Sequence, residues 1–200
     1  MMRPTRAVLL TIAALLLAAG ISCDRQTLDA RRFVNRGVEA LERGQGDVAY
    51  DFFTQAIALD KTNPAAHYHL GLVYAYERQQ PERAKACFEE VLRLAPTDSD
   101  TLYQLGVLAR KAGKPKQARD YLARAAKSAK ASAQLAYELA LVDEAAGDLG
   151  LMDKGLRDAI RYDPAFEPAY YELANLYTKL NEHERALAVI NEAMQLDPDL

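Results

Sequence analysis

Two hundred residues suffice for one or two domains, and half of them are apolar, so material for a buried core is not limiting. Lys and Arg number 25 against 28 Asp and Glu, a formal charge of −3, or −5 without Arg3 and Arg6 of the N-terminal stretch. That balance disfavours a nucleic-acid partner, which asks for clustered Lys and Arg, and no such cluster is expected.

In chain order, residues 1–22 differ in kind from the rest. Met1 to Arg6 carries two positive charges, Ala7 to Ala19 is an apolar run broken only by Thr11, and small residues surround Gly20 and Ser22. This is the anatomy of a secretory signal peptide, and its 13-residue run falls short of the roughly 17 to 25 that a spanning helix requires. Asp24 to Asp29 reads as a polar spacer, which places the first helix at most roughly 25 Å from Cys23.

From Ala30 to Leu200 one pattern recurs. Gly37, Gly71, Gly106, Ala140 and Ala174 stand 34, 35, 34 and 34 residues apart, and Ala49, Ala84, Ala118, Met152 and Ala186 stand 35, 34, 34 and 34 apart. Apolar residues three and four apart, as at Leu102, Leu105 and Ala109, then at Ala118, Leu122 and Ala125, predict two antiparallel helices per unit. Five units follow: 30–63, 64–98, 99–132, 133–166 and 167–200. The single extra residue of the second falls between Gly71 and Ala84, expected in the turn near Gln79, Gln80 and Pro81. Gly44, Gly113, Gly147 and Asn181 share one place after the first helix, where a left-handed residue ends it. Pro64, Pro96, Pro164 and Pro198 mark the turns between units. The third junction, Ala125 to Ser132, has neither Gly nor Pro. One continuous helix competes there with a turn near Ser128 to Ser132, which the 34-residue phase favours. The third and fourth units are therefore expected to meet at the weakest boundary.

Leu70-Gly71 with Tyr74, Leu105-Gly106, Ala49 with Phe53, Ala84 with Phe88, and the closing Asp163-Pro164 and Asp197-Pro198 resemble the tetratricopeptide repeat family. The resemblance implies an all-α fold, a right-handed α-solenoid of five helix-turn-helix repeats that binds proteins rather than catalysing. Gly20-Ile21-Ser22-Cys23 is similar to the lipobox of bacterial lipoproteins, which implies that Cys23 is the lipidated first residue of a mature chain on the periplasmic side of the cell envelope. Asp24 resembles an inner-membrane retention signal where enteric sorting rules apply. With Cys23 so used, Cys87 has no disulfide partner and reads as a small filler beside the core.

In this family the first helices line the concave side, and the fifth and ninth positions of each repeat supply ligand contacts. These positions are Val34, Tyr68, Tyr103, Tyr137 and Tyr171, and Val38, Leu72, Val107, Leu141 and Asn175. Tyr with Val and Leu suits an apolar or amphipathic segment of a protein partner, and the near absence of Lys and Asn from both rows argues against a carboxylate clamp. The expected function is a membrane-anchored interaction scaffold or assembly factor of the bacterial envelope. The alternative is a pilotin-like lipoprotein that helps type IV pilus secretins assemble.

No catalytic set, cofactor or metal site is expected. His67 and His69 lie two apart on a helix, about 200° around its axis, and His183 reads as a solvated turn residue. Leu187, Met194 and Leu196 sit where a following helix would pack, which predicts an exposed apolar strip open to self-association or to a partner.

Overall fold

The structure is a computed structural model, and it describes residues 25–128 and 130–196. Among these residues there are ten helices and no strand: α1 (25–42), α2 (Gly46–Leu59), α3 (Pro64–Leu72), α4 (Pro81–Leu94), α5 (Ser99–Lys111), α6 (Pro115–Ser128), α7 (Ala133–Ala145), α8 (Leu149–Tyr162), α9 (Glu167–Lys179) and α10 (His183–Leu196). They form the five expected hairpins. The expected signal peptide (residues 1–22), Cys23, Asp24 and the last Asp-Pro pair lie outside the described residues.

Local signals set the boundaries. Gly44, Gly113 and Gly147 hold φ of 70°, 69° and 81°, and Asn181 holds 59°. Each closes its helix with two backbone bonds, as where Gly113 N–H donates to the Arg110 carbonyl and Lys114 N–H to the Ala109 carbonyl, both at 2.9 Å. Asn63, Asp98 and Asp148 cap the helices that follow them, each side chain accepting from a backbone N–H at 2.8–3.0 Å. Ser132 does the same for α7, accepting from Leu135 N–H at 3.3 Å. The third junction is thus a turn, because Ser132 offers α7 a start that an uninterrupted helix would waste.

Three expectations need correction. The extra residue of the second repeat lies in the helix and not in the turn near Gln79 to Pro81. A single π-turn over Val73–Glu77 absorbs it at the end of α3, where Arg78 N–H reaches back five residues to the Val73 carbonyl. Gln79, φ 51°, then takes the role that Gly or Asn plays elsewhere. Second, the stretch expected as a spacer is helical from Arg25, since nothing in Arg25 to Asp29 breaks a helix. Third, His183 is the exposed first residue of α10 and not part of a turn.

The packing separates into two compact units, one ending at Pro96 and one beginning at Thr97. In the first, Ala30, Val34, Ala40, Ala49, Phe53, Ala56, Ala66, Leu70 and Val73 form the core. In the second, α7 to α10 share a core built on Met152, Leu156, Tyr170, Leu173, Leu176 and Tyr177. The division therefore falls between the second and third repeats. The junction of the third and fourth, expected to be weakest, lies inside the second unit, and ion pairs brace it. Arg110 of α5 donates to Glu138 of α7 at 2.7 and 3.3 Å, and Arg119 of α6 pairs with Asp143 of α7.

Within each of the first four hairpins the two helices meet at a small residue. A methyl group added to Gly71 would stand 2.6 Å from the Phe88 ring, and one added to Gly106 would stand 2.6 Å from Leu122. In the fourth repeat the roles are exchanged, with Ala140 in the first helix meeting Gly155 in the second. Gly71→Ala should therefore lower unfolding free energy by about 1–3 kcal/mol through overpacking against a rigid ring. Gln79→Gly should raise it by about 0.5–1 kcal/mol by removing left-handed strain. Urea denaturation of both variants checks this, and a Gly71→Ala chain as stable as wild type would contradict the packing.

Candidate functional site

The expected contact residues begin on the first helices, and burial divides them. In the first unit, Val34 is 7% exposed and belongs to the core, while Val38 is half-buried against it. Tyr68 is half-buried with its ring edge-on to His69 at 5.4 Å and tilted to Phe88 at 5.8 Å, and Leu72 is half-buried one turn on. His69 itself stacks on Phe53 at 5.3 Å, and burial pushes its imidazole below the usual histidine range. Its sequence neighbour His67 meets the Lys61 carbonyl at 2.9 Å, so the two histidines serve different surroundings.

In the second unit, Tyr103, Tyr137 and Tyr171 stand one repeat apart on α5, α7 and α9. Two ion pairs tie these three helices side by side: Arg110 to Glu138 between α5 and α7, and Lys179 to Glu144 at 2.8 Å between α9 and α7. Tyr103 is half-buried and opens on a cleft of about 180 Å³, whose walls include Ser99, Ala125, Ser132 and Leu135. Tyr137 is half-buried edge-on to Phe166 at 5.5 Å, and burial, reinforced by Glu172 and Glu138, raises its phenol above the ordinary range. Tyr171 is 68% exposed. In the ninth-position row, Leu141 and Asn175 are half-buried, but Val107 is 5% exposed. Val34 and Val107 thus support the face from beneath and present nothing to a ligand, because a fixed register position does not fix how far a side chain stands out.

Sequence reading missed the seam between neighbouring repeats. One register position on a second helix meets one on the next first helix in three places, with different chemistry each time. Tyr50 and Tyr74 meet edge-on at 5.9 Å, with the Arg78 guanidinium 3.8 Å above the Tyr50 ring. Arg119 pairs with Asp143, which is 6% exposed. At the last seam the Tyr177 hydroxyl donates to Asp153 and accepts from Arg157 and Arg185. Burial, then the bond to Asp153, raises the Tyr177 phenol. The signal for these pairs was available only as a spacing of 24 residues, visible once the repeat phase is known.

An open hollow of about 560 Å³ lies elsewhere, between α1 and the end of α2, lined by Arg32, Phe33, Arg36 and Leu59. Cys87 is half-buried beside the first core, and burial pushes its thiol up to about 11. On α10, Leu187, Met194 and Leu196, the expected apolar strip, are 59%, 48% and 54% exposed, and Ile190, not among those expected, is 43% exposed. Ile190 occupies the position at which Phe53, Phe88, Leu122 and Leu156 are fully buried. No helix among the described residues is long and apolar enough to cross a membrane.

Models of the tetratricopeptide repeat match residues 34–99, 75–142 and 167–200. The chain is 24% identical over 177 residues to human Protein O-mannosyl-transferase TMTC3, covering 84% of this chain and only 19% of that protein. Among solved structures it is similar to YrrB, described as a tetratricopeptide repeat protein with an unusual peptide-binding site, at 25% identity, with a TM-score of 0.68 and coverage of 91% and 92%. It is similar in fold to PilW, described as a widely conserved type IV pilus biogenesis factor, at 17% identity, with a TM-score of 0.76 and coverage of 83% and 76%.

Two outcomes test the site's geometry. Arg119→Ala strands a buried carboxylate and should cost about 2 kcal/mol, whereas Arg119→Met with Asp143→Leu should recover most of the loss. Equal stability of Arg119→Ala and wild type in urea would remove the seam's energetic role. Since the thiolate is the reactive form, a pKa near 11 against the ordinary 9.0 leaves Cys87 roughly 100-fold less thiolate at pH 8. Its alkylation by iodoacetamide should be that much slower in the folded chain than in urea, as read by mass spectrometry of the Cys87 peptide.

Proposed function

The chain belongs to the tetratricopeptide repeat family, and from the first-helix face of its second unit we propose that it is a protein-interaction scaffold or assembly factor, held at a membrane of the bacterial envelope, which seats an apolar or amphipathic segment of a partner. The observation that carries this reading is Tyr171. A tyrosine 68% exposed on a helix face contributes little to its own fold, yet it repeats the register of Tyr103 and Tyr137. Tyrosine offers an apolar body with a hydroxyl handle and loses little rotamer freedom on binding, so it is favoured at interface centres. The peptide-binding description of YrrB supports the same kind of ligand.

Anchoring rests on the sequence alone. A charged start, a short apolar run and Gly20-Ile21-Ser22-Cys23 support acylation of Cys23, and α1, already helical at Arg25, would then stand close to the lipid surface. The second reading, a pilotin-like role in type IV pilus assembly, is supported by the fold likeness to PilW and by the lipobox together. The match to a fifth of a mannosyltransferase carries no activity to this chain.

Two experiments test the proposal. Metabolic labelling with a palmitate analogue should mark the wild type and not Cys23→Ser, and the variant should leave the membrane fraction or remain unprocessed. With a partner captured from solubilised membranes, Tyr103→Ala and Tyr171→Ala should each weaken titrated binding by about 2 kcal/mol, roughly thirty-fold, with thermal melts unchanged. Wild-type affinity in both folded variants would show that the tyrosine face is not the working surface.

A further inference from the structure

The chain-wide charge of −3 conceals one strongly basic stretch, contrary to the expectation that Lys and Arg do not cluster. Between Lys111 and Lys130, seven Lys and Arg meet a single carboxylate, Asp120, which leaves 18 basic against 27 acidic side chains in the remainder. The stretch is α6 with its two flanking turns. Arg119 is spent on Asp143 across the seam, and Arg124 lies 3.8 Å from Asp120. Lys114, Lys116, Lys127 and Lys130 are exposed, and no ion pair ties them to any described residue. Lys116 and Lys127 are eleven residues apart, three turns of helix, and so share the outward face with about 16 Å between them. Lys114 and Lys116 also stand at the positive end of the α6 dipole, with no acidic residue in its first turn, a placement that helix stability by itself disfavours.

The width of this ridge selects its occupant. α6 and α8 both pack on α7, and α8 has only a small basic excess: Arg157 pairs with Asp153 and Arg161 with Asp158, which leaves Lys154 alone, whereas α6 has four basic side chains against Asp120. Within the second unit the strong basic excess is therefore confined to α6, a ridge about 10–12 Å wide. A nucleic-acid duplex or a bilayer surface is broader and would also meet the carboxylates of α8. No open ring is available for base stacking either, because Tyr121 is half-buried beneath the Arg124 guanidinium. The outward face between the lysines carries Asp120 and Ala123 and no large apolar group that could enter a membrane. We propose that α6 is a second docking surface, separate from the tyrosine face, which takes an acidic segment of a protein partner. About five extended residues, at 3.3 Å each, span Lys116 to Lys127, and carboxylates at alternate positions would follow the ridge.

Fluorescence anisotropy of the full chain with a short labelled peptide of alternating Glu and Ser tests this at low salt. The peptide should bind wild type, lose at least about tenfold in affinity with Lys116→Glu and Lys127→Glu combined, and dissociate in about 1 M salt. Tyr103→Ala should bind it as wild type does, and the charge variant should melt as wild type does. Lys116→Arg with Lys127→Arg, which keeps the charge, should retain binding. Equal peptide affinity for wild type and the charge-reversed variant overturns the proposal. So does binding of phosphatidylglycerol vesicles or duplex DNA that the same two substitutions abolish while the peptide does not bind.

Discussion

The close approach of the two helices in each of the first four hairpins is the constraint on which the remaining packing depends. Helices can come near enough to bury a ring or a leucine between them only where one of them lacks a side chain at the crossing. Gly37 accommodates Phe53, Gly71 accommodates Phe88 and Gly106 accommodates Leu122. The fourth repeat shows that the requirement concerns volume and not a particular residue, since Ala140 is tolerated where the facing position is Gly155. With the hairpin so closed, Phe53, Phe88, Leu122 and Leu156 are fully buried. Dense packing of this kind tolerates little change in volume, so every other surface of a repeat inherits its placement from the crossing.

Between hairpins the rule is different. The seam keeps its register and varies its chemistry: a pair of tyrosines at Tyr50 and Tyr74, an ion pair at Arg119 and Asp143, and a hydroxyl shared among Asp153, Arg157 and Arg185 at Tyr177. A buried charge at such a seam contributes little net stability, but it makes the wrong neighbour costly, because an unmatched carboxylate would be left without a partner. The junction that sequence reading took to be weak is crossed by two ion pairs, Arg110–Glu138 and Arg119–Asp143. Ala- and Lys-rich composition concealed this, since the partners of Arg110 and Arg119 lie 28 and 24 residues away.

The two candidate surfaces follow from the same architecture. First helices of the second unit, held side by side by Arg110–Glu138 and Glu144–Lys179, present tyrosines at one register position. A second helix, α6, presents lysines that no internal carboxylate claims. As proposed, one surface would take an apolar segment and the other an acidic one, and the two lie on different helices of the same unit.

How much of this was legible in the chain depends on the range of the interaction involved. The 34-residue phase, the left-handed residues at Gly44, Gly113, Gly147 and Asn181, and the caps at Asn63 and Asp98 are local: each is decided by backbone sterics or by a hydrogen bond within a few residues, so spacing alone determined the five hairpins. The phase also showed that one residue was extra. It could not show that a π-turn over Val73–Glu77 would absorb it, because spacing counts residues between markers and does not say whether the helix or the turn holds the extra one. Likewise, sequence placed Val107 and Tyr171 in the same ligand-facing rows, while depth in the packed unit left one 5% and the other 68% exposed. Exposure, seam partners and the isolation of the α6 lysines depend on what stands opposite each side chain. Only the tertiary structure decided that, because the groups that bury or neutralise a residue come from helices one repeat away.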